Sequence, residues 1–212
     1  MNPKIKSIFQ DNQVAEKIKK KLPVLFSIAE LECSRAGRVG MEVGSLREKI
    51  LVAMLIHFFG NENVETEIPI TKSEVDVKVF DTPISIKTVT TKGRSLGSVK
   101  IIWTVDAKSS LNFRENYHPS CDLLLVKIKW GNTGNLFYIP LDVQQEVFSC
   151  IGRNQYITLP KPMTNPRGAT FASSALKEII ENKQTINLEI FWKKQEIVYE
   201  TYKRWTDMWE EE

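Results

Sequence analysis

The chain has 212 residues, 42% hydrophobic and 26% charged, ordinary proportions for one soluble globular domain, or one domain with a helical annex. Lysine and arginine number 29 against 26 aspartate and glutamate, a formal charge of only +3. That excludes a histone-like binder, so any nucleic-acid site must come from local clustering of positive residues. Cys33, Cys121 and Cys150 are far apart, no CxxC pair exists, and His57 and His118 are the only histidines, which argues against a structural zinc site or a disulfide framework. No apolar run suits a signal peptide or a membrane span, so the chain reads as cytoplasmic with no membrane partner.

Residues 12–34 carry a helical pattern in which Val14, Ile18, Leu22, Leu25 and Phe26 alternate with charged positions, and Pro23 should kink or split it. The glycine- and arginine-rich stretch 34–45 reads as a loop. A second helix follows from Ser45 or Leu46 to Phe59 and ends at Gly60, with Ser45 as N-cap and Glu48 at capping-box spacing. From Val64 the period changes to two, predicting strands over 64–70, 74–80 and 84–90. Residues 90–100 form a glycine-punctuated basic loop, and 105–117 a helix. The apolar run at 121–130 predicts a central strand, 136–140 a further strand, and 160–168 a loop. A helix over 169–182, a strand over 185–191 and a helical, tryptophan-bearing end over 193–212 complete an α/β sheet with helices on both faces.

The chemistry concentrates in residues 73–88. Val75, Val77 and Val79 take one face of the first strand, leaving Glu74, Asp76 and Lys78 on the other; Ile84 and Ile86 leave Ser85 and Lys87 opposite on the second. If Asp81 and Thr82 form a two-residue loop, Asp76 falls directly across from Lys87. An exposed cross-strand ion pair of little energetic weight would look the same. The preceding helix adds Glu48 among Leu46, Ile50, Val52, Leu55, Ile56 and Phe59, where a carboxylate needs either a partner or a capping role.

The phrase Gly44-Ser45-Leu46-Arg47-Glu48 heading an apolar helix, then Asp76, then Ser85-Ile86-Lys87, resembles the PD-(D/E)xK nuclease superfamily over about residues 44–130. The whole chain is similar to type II restriction endonucleases that cut CGCG. The resemblance implies a restriction-endonuclease-like central mixed sheet with helices on both faces. It implies one nuclease domain over 1–212, with a core at about 44–142, a helical N-terminal annex at 1–43 and a C-terminal annex at 143–212. It also implies Mg2+-dependent hydrolysis of phosphodiester bonds in double-stranded DNA, with Glu48, Asp76 and Lys87 catalytic and Asp76, Glu48 and the Ile86 carbonyl as metal ligands. The chemistry fits: magnesium takes oxygen donors and keeps several waters, so one or two carboxylates suffice, while lysine can orient or deprotonate the attacking water. Ser85 stands where the superfamily usually has a carboxylate, which moves the burden to Glu48, or to Glu74, and suggests one well-occupied metal site. A palindromic target implies a homodimer, and a restriction enzyme implies a companion DNA methyltransferase in the host. A repair or junction-resolving nuclease of the same fold, and a non-cleaving DNA-binding protein, are the rival readings.

DNA contacts are expected from three basic segments. Lys92, Arg94 and Lys100 lie on the loop that leaves the Lys87 strand, the lysines suited to phosphates and Arg94 to guanine. Arg167 precedes a predicted helix and could serve guanine or phosphate. Arg35 and Arg38 flank glycines just before Met41; Met41 reads either as a wedge entering a base step from the minor groove or as an ordinary core methionine.

Overall fold

Asn2 and Asp11 start the chain's first two helices. Asn2 accepts from Lys4 N at 3.0 Å to cap α1 (Pro3–Gln10), and Asp11 accepts from Gln13 N and Val14 N at 2.8 and 3.0 Å to cap α2 (Asn12–Glu32). The computed structural model describes residues 2–35, 38–40, 42–69, 74–93, 95–104, 106–161 and 168–211. α2 runs through Pro23 without being split, because Ile18, Leu22 and Phe26 are buried along it and their burial outweighs a proline cost of about 3 kcal/mol. The segment read as a loop contains a small hairpin, β1 (Ser34–Arg35) paired with β2 (Arg38–Val39).

α3 (Val43–Phe59) begins two residues before Ser45, and Glu42 at its N-cap makes no side-chain capping bond. Ser45 therefore lies inside the first turn and Glu48 in the second, past the amides that lack intrahelical partners, so the capping-box reading does not hold. After a 3₁₀ turn (Asn61–Asn63) come β3 (Val64–Glu65), β4 (Val77–Val79), β5 (Thr82–Thr90) and β6 (Lys100–Ile102). The first predicted strand shrinks to two residues, and its last position, 70, lies outside the described residues. α4 (Ala107–Asn116), β7 (Asp122–Ile128) and β8 (Thr133–Ile139) follow, and then α5 (Leu141–Ile151) and α6 (Arg153–Tyr156), two helices beyond those predicted. β9 (Ile157–Thr158) precedes β10 (Ala169–Phe171), which replaces the start of the helix predicted from residue 169. Ala169–Phe171 pairs with β6 and β9 instead, leaving α7 (Ser173–Glu181) as the helix. β11 (Ile186–Phe191) matches its prediction, whereas the predicted C-terminal helix is confined to α8 (Lys203–Glu210).

The main sheet has the order β11-β8-β7-β5-β4-β3, with β5 and β7 parallel and the other neighbours antiparallel, a mixed sheet as expected. Every residue of β7 is buried, which is why its sequence is a continuous apolar run. One face buries Val77, Val79, Ile84 and Ile86 against α1, α2 and α3. The other buries Leu123, Leu125, Phe137 and Ile139 against α5, α7 and the small β6-β10-β9 sheet.

Candidate active site

The β4–β5 hairpin turns at Phe80 and Asp81, both at positive φ (47° and 62°), one residue before the turn predicted from sequence. Two such residues in succession suit a tight hairpin of right-handed twist. The register is Val79↔Thr82, Lys78↔Pro83 and Val77↔Ile84, a slip of two from the prediction, so Lys87 does not stand directly across from Asp76. A slip of one would have turned every side chain to the wrong face; a slip of two leaves the faces intact. Asp76, Ser85 and Lys87 therefore still converge. Asp76 Oδ2 accepts from Ile86 N at 2.6 Å, from Lys87 Nζ at 3.2 Å and from Ser85 Oγ at 3.3 Å.

Glu48 comes down on this group from the second turn of α3. Burial raises its pKa above the ordinary carboxylate value, and the charge of Asp76 raises it further, against the opposing pull of Lys87. Glu48, Asp76 and Lys87 line one cleft of about 590 Å³, with Ser98, Lys100 and Trp103 on its far wall. An open cleft beside two carboxylates and an amine is more than an isolated surface ion pair requires.

The angle of α3 is set by Arg47, the neighbour of Glu48. Its guanidinium is buried with Glu30 of α2 at 2.5 Å and donates to Thr90 Oγ1 of β5 at 3.1 Å. Glu30 also accepts from Trp130 Nε1 at 2.6 Å and pairs with Lys194 at 3.2 Å. Glu74, weighed from sequence as a substitute ligand, accepts from Ser120 Oγ at 3.1 Å, while its other oxygen is buried with no partner among the described residues. Burial pushes its pKa up to about 7, with Ser120 and Lys87 pulling the other way. It lines a second cleft of about 1010 Å³ that shares Ile102 and Trp103 with the first.

The expected DNA contacts divide. Lys100 lines the Asp76 cleft, its ammonium 3.7 Å over the Trp103 ring. Lys92 lies in a separate cleft with Lys129 and Asn132, beyond the far end of β5. Arg38 is exposed on β2, opposite the backbone of Arg35. Met41, Arg94 and Arg167 lie outside the described residues. Sequence reasoning missed Trp103, 60% exposed where the two clefts meet. The signal available was an aromatic three residues after a lysine at the end of a basic, glycine-rich loop.

A mixed sheet with helices on both faces, carrying a carboxylate–lysine hairpin beside a glutamate-bearing helix, is the restriction-endonuclease-like fold. A solved structure described as a restriction endonuclease in complex with substrate DNA aligns with a TM-score of 0.90 at 50% sequence identity, covering 98% of this chain and 99% of that one. The family model described as restriction endonuclease ThaI matches residues 8–211, and the chain belongs to that family. No curated protein is matched.

Proposed function

We propose that this protein is a Mg2+-dependent type II restriction endonuclease that cuts double-stranded DNA at the palindrome CGCG as a homodimer. The convergence of Glu48, Asp76 and Lys87 in one open cleft carries the reading. Its support is a chain half identical to a restriction endonuclease solved with its substrate DNA. The whole chain serves as one nuclease domain, with 1–43 and 143–212 as annexes to a core at about 44–142. Among the described residues no helix is long and apolar enough to cross a membrane, which fits a cytoplasmic enzyme whose host DNA is shielded by a companion methyltransferase.

The donor set fits magnesium. Among the described residues no group of three or more His, Cys, Asp or Glu side chains is gathered for a metal, so a cation would rest on Asp76 and Glu48, with the Ile86 carbonyl completing the protein's share. One or two carboxylates, with waters and a substrate phosphate, are what Mg2+ takes. The like charge of Asp76 beside Glu48 is a cost that a divalent cation relieves. When bound, the ion supplies charge neutralisation at the scissile phosphate and a more acidic water. Lys87 holds its ammonium over the same place, orienting the attacking water and stabilising the charge that develops on phosphorus oxygens. Ser85 spends its hydroxyl on Asp76, so it positions that carboxylate and stands aside as a ligand, consistent with one well-occupied metal site.

Plasmid containing CGCG should give a ladder of discrete fragments with Mg2+ and none with EDTA. Asp76→Asn and Lys87→Ala should each lose at least about a hundredfold in single-turnover rate while still binding the site in calcium. Random nicks, or cutting only at junctions, would favour the repair reading. Binding without cleavage by the wild type, or a loss under about tenfold in both variants, would sink the catalytic assignment.

A further inference from the structure

Half of the large hydrophobic side chains exposed among the described residues crowd into the last fifteen positions: Val198, Tyr202, Trp205, Met208 and Trp209, the last 91% exposed. Tyr202, Trp205, Met208 and Trp209 fall at helical spacing along one side of α8, yet α8 buries no residue. Exposed apolar faces of this density mark interaction surfaces. Glu210 and Glu211 follow at the end of the stripe.

An apolar groove of about 340 Å³ lies between α2 and α3, floored by Ile18 and Leu22, walled by Leu25, Met54 and Phe58, and edged by exposed Lys21 and by Lys17, whose ammonium lies 2.8 Å from His57 Nε2. Its own tail leads away from it. Gln195 N reaches Ser27 Oγ at 3.5 Å and Lys194 reaches Glu30 at 3.2 Å. Farther along the tail, Tyr199 and Arg204 hold Glu32 at 3.1 and 3.2 Å. The contacts thus end at the C-terminus of α2, whereas the groove spans residues 17–25, roughly 10–22 Å back along that helix at 1.5 Å per residue.

We infer that the apolar face of α8 docks in the α2–α3 groove of a second copy of this chain, the two copies exchanging tails about a two-fold axis. The chemistry matches: tryptophan and methionine fill an apolar groove, and the acidic tail end meets Lys17 and Lys21. Buried aromatic side chains remove roughly 150–250 Å² each from water. Two tails with three partly exposed aromatics apiece, counted together with the groove surface they cover, reach the scale of a stable interface, about 1,200–2,000 Å² in total. An isologous exchange closes at two copies and leaves no apolar face for further growth.

The inference rests on the homodimer reading and not on cleavage, so it is tested without DNA or metal. Sedimentation equilibrium of the full chain at micromolar concentrations should give a dimer. Met208→Ser combined with Trp209→Ser should weaken association by at least about tenfold, with an unchanged circular dichroism spectrum because α8 contributes nothing to the core. Lys21→Glu and Glu210→Lys should each weaken the dimer, and the two together should recover it. A monomeric wild type, a serine double variant within about twofold of wild type, or no recovery in the charge-reversed pair would each overturn tail exchange. A monomer that still linearises plasmid would overturn it while leaving the nuclease reading intact; a tail-exchanged dimer that never cuts would do the reverse.

Discussion

Replacing Glu30 with alanine removes the anchor of α3 and should be among the most destabilising single changes available. Glu30 and Arg47 are only 8% and 5% exposed, and among the described residues Glu30 alone forms a salt bridge to the Arg47 guanidinium. Truncation leaves a buried cation with Thr90 as its sole hydrogen-bond partner among the described residues and deprives Trp130 Nε1 of its acceptor. Breaking a buried pair from one side costs about 3–5 kcal/mol. For a chain of this size each kcal/mol moves Tm by about 2–4 °C, so Glu30→Ala should melt about 6–20 °C lower by calorimetry. Replacing both partners with methionine removes the charge as well as its partner, and should recover most of the loss. Because Arg47 precedes Glu48, single-turnover cleavage by Glu30→Ala should also slow below its melting range. A Tm drop under about 3 °C, or a double variant no better than the single, would refute the reasoning.

Glu74→Gln tests the buried carboxyl. With a folded pKa of about 7 against an ordinary value near 4.5, Glu74 binds a proton in the native state that the unfolded chain has already released. The resulting stability is fully present below about pH 4.5 and is lost as pH rises through about 7, a ceiling of about 3 kcal/mol. Denaturant melts in EDTA at about pH 5 and about pH 8 should show that fall in the wild type and a flatter profile in Glu74→Gln; equal slopes would refute it. Trp103→Ala should lower affinity for cognate DNA on the order of tenfold without lowering Tm, and an unchanged Kd in calcium would place the DNA elsewhere. Met41→Ala should weaken specific binding without lowering Tm, and should abolish the brightening of a 2-aminopurine beside the CG step; a lower Tm with that response intact makes it a core residue.

The convergence of Asp76 and Lys87 was legible because strand periodicity fixes which face a side chain takes, and face assignment survives a slip of two. Their register was not. Turn chemistry favours aspartate over phenylalanine, but Phe80 stacks edge-on against Phe59 at 5.4 Å, and that contact decides where the chain reverses. The capping reading of Glu48 failed for a similar reason, since the start of α3 is set by how Arg47 reaches Glu30 and Thr90 and owes nothing to Ser45. α5 was within reach: Val143, Val147 and Phe148 recur at helical spacing and are buried together. The Trp103–Lys100 wall was not, because it depends on β6 pairing with β10, whose partners sit nearly seventy positions away.

The reversal at Phe80 and Asp81 has a further reach. Left-handed backbone costs a non-glycine residue roughly 1–2 kcal/mol, and here two are spent in succession, held by the Phe59 ring at the last turn of α3 and by Lys4, 4.7 Å over the Phe80 ring, from α1. The same helix that lowers Glu48 into the cleft at one end thus clamps the ruler that measures off Asp76 against Ser85 and Lys87 at the other. Swapping the pair for Asn-Gly would ease the backbone and cut that clamp in one stroke, giving a hairpin free to choose its own alignment. The spacing of Asp76 against Ser85 and Lys87 is therefore adjustable from a reversal that lies outside the cleft lined by Asp76 and Lys87.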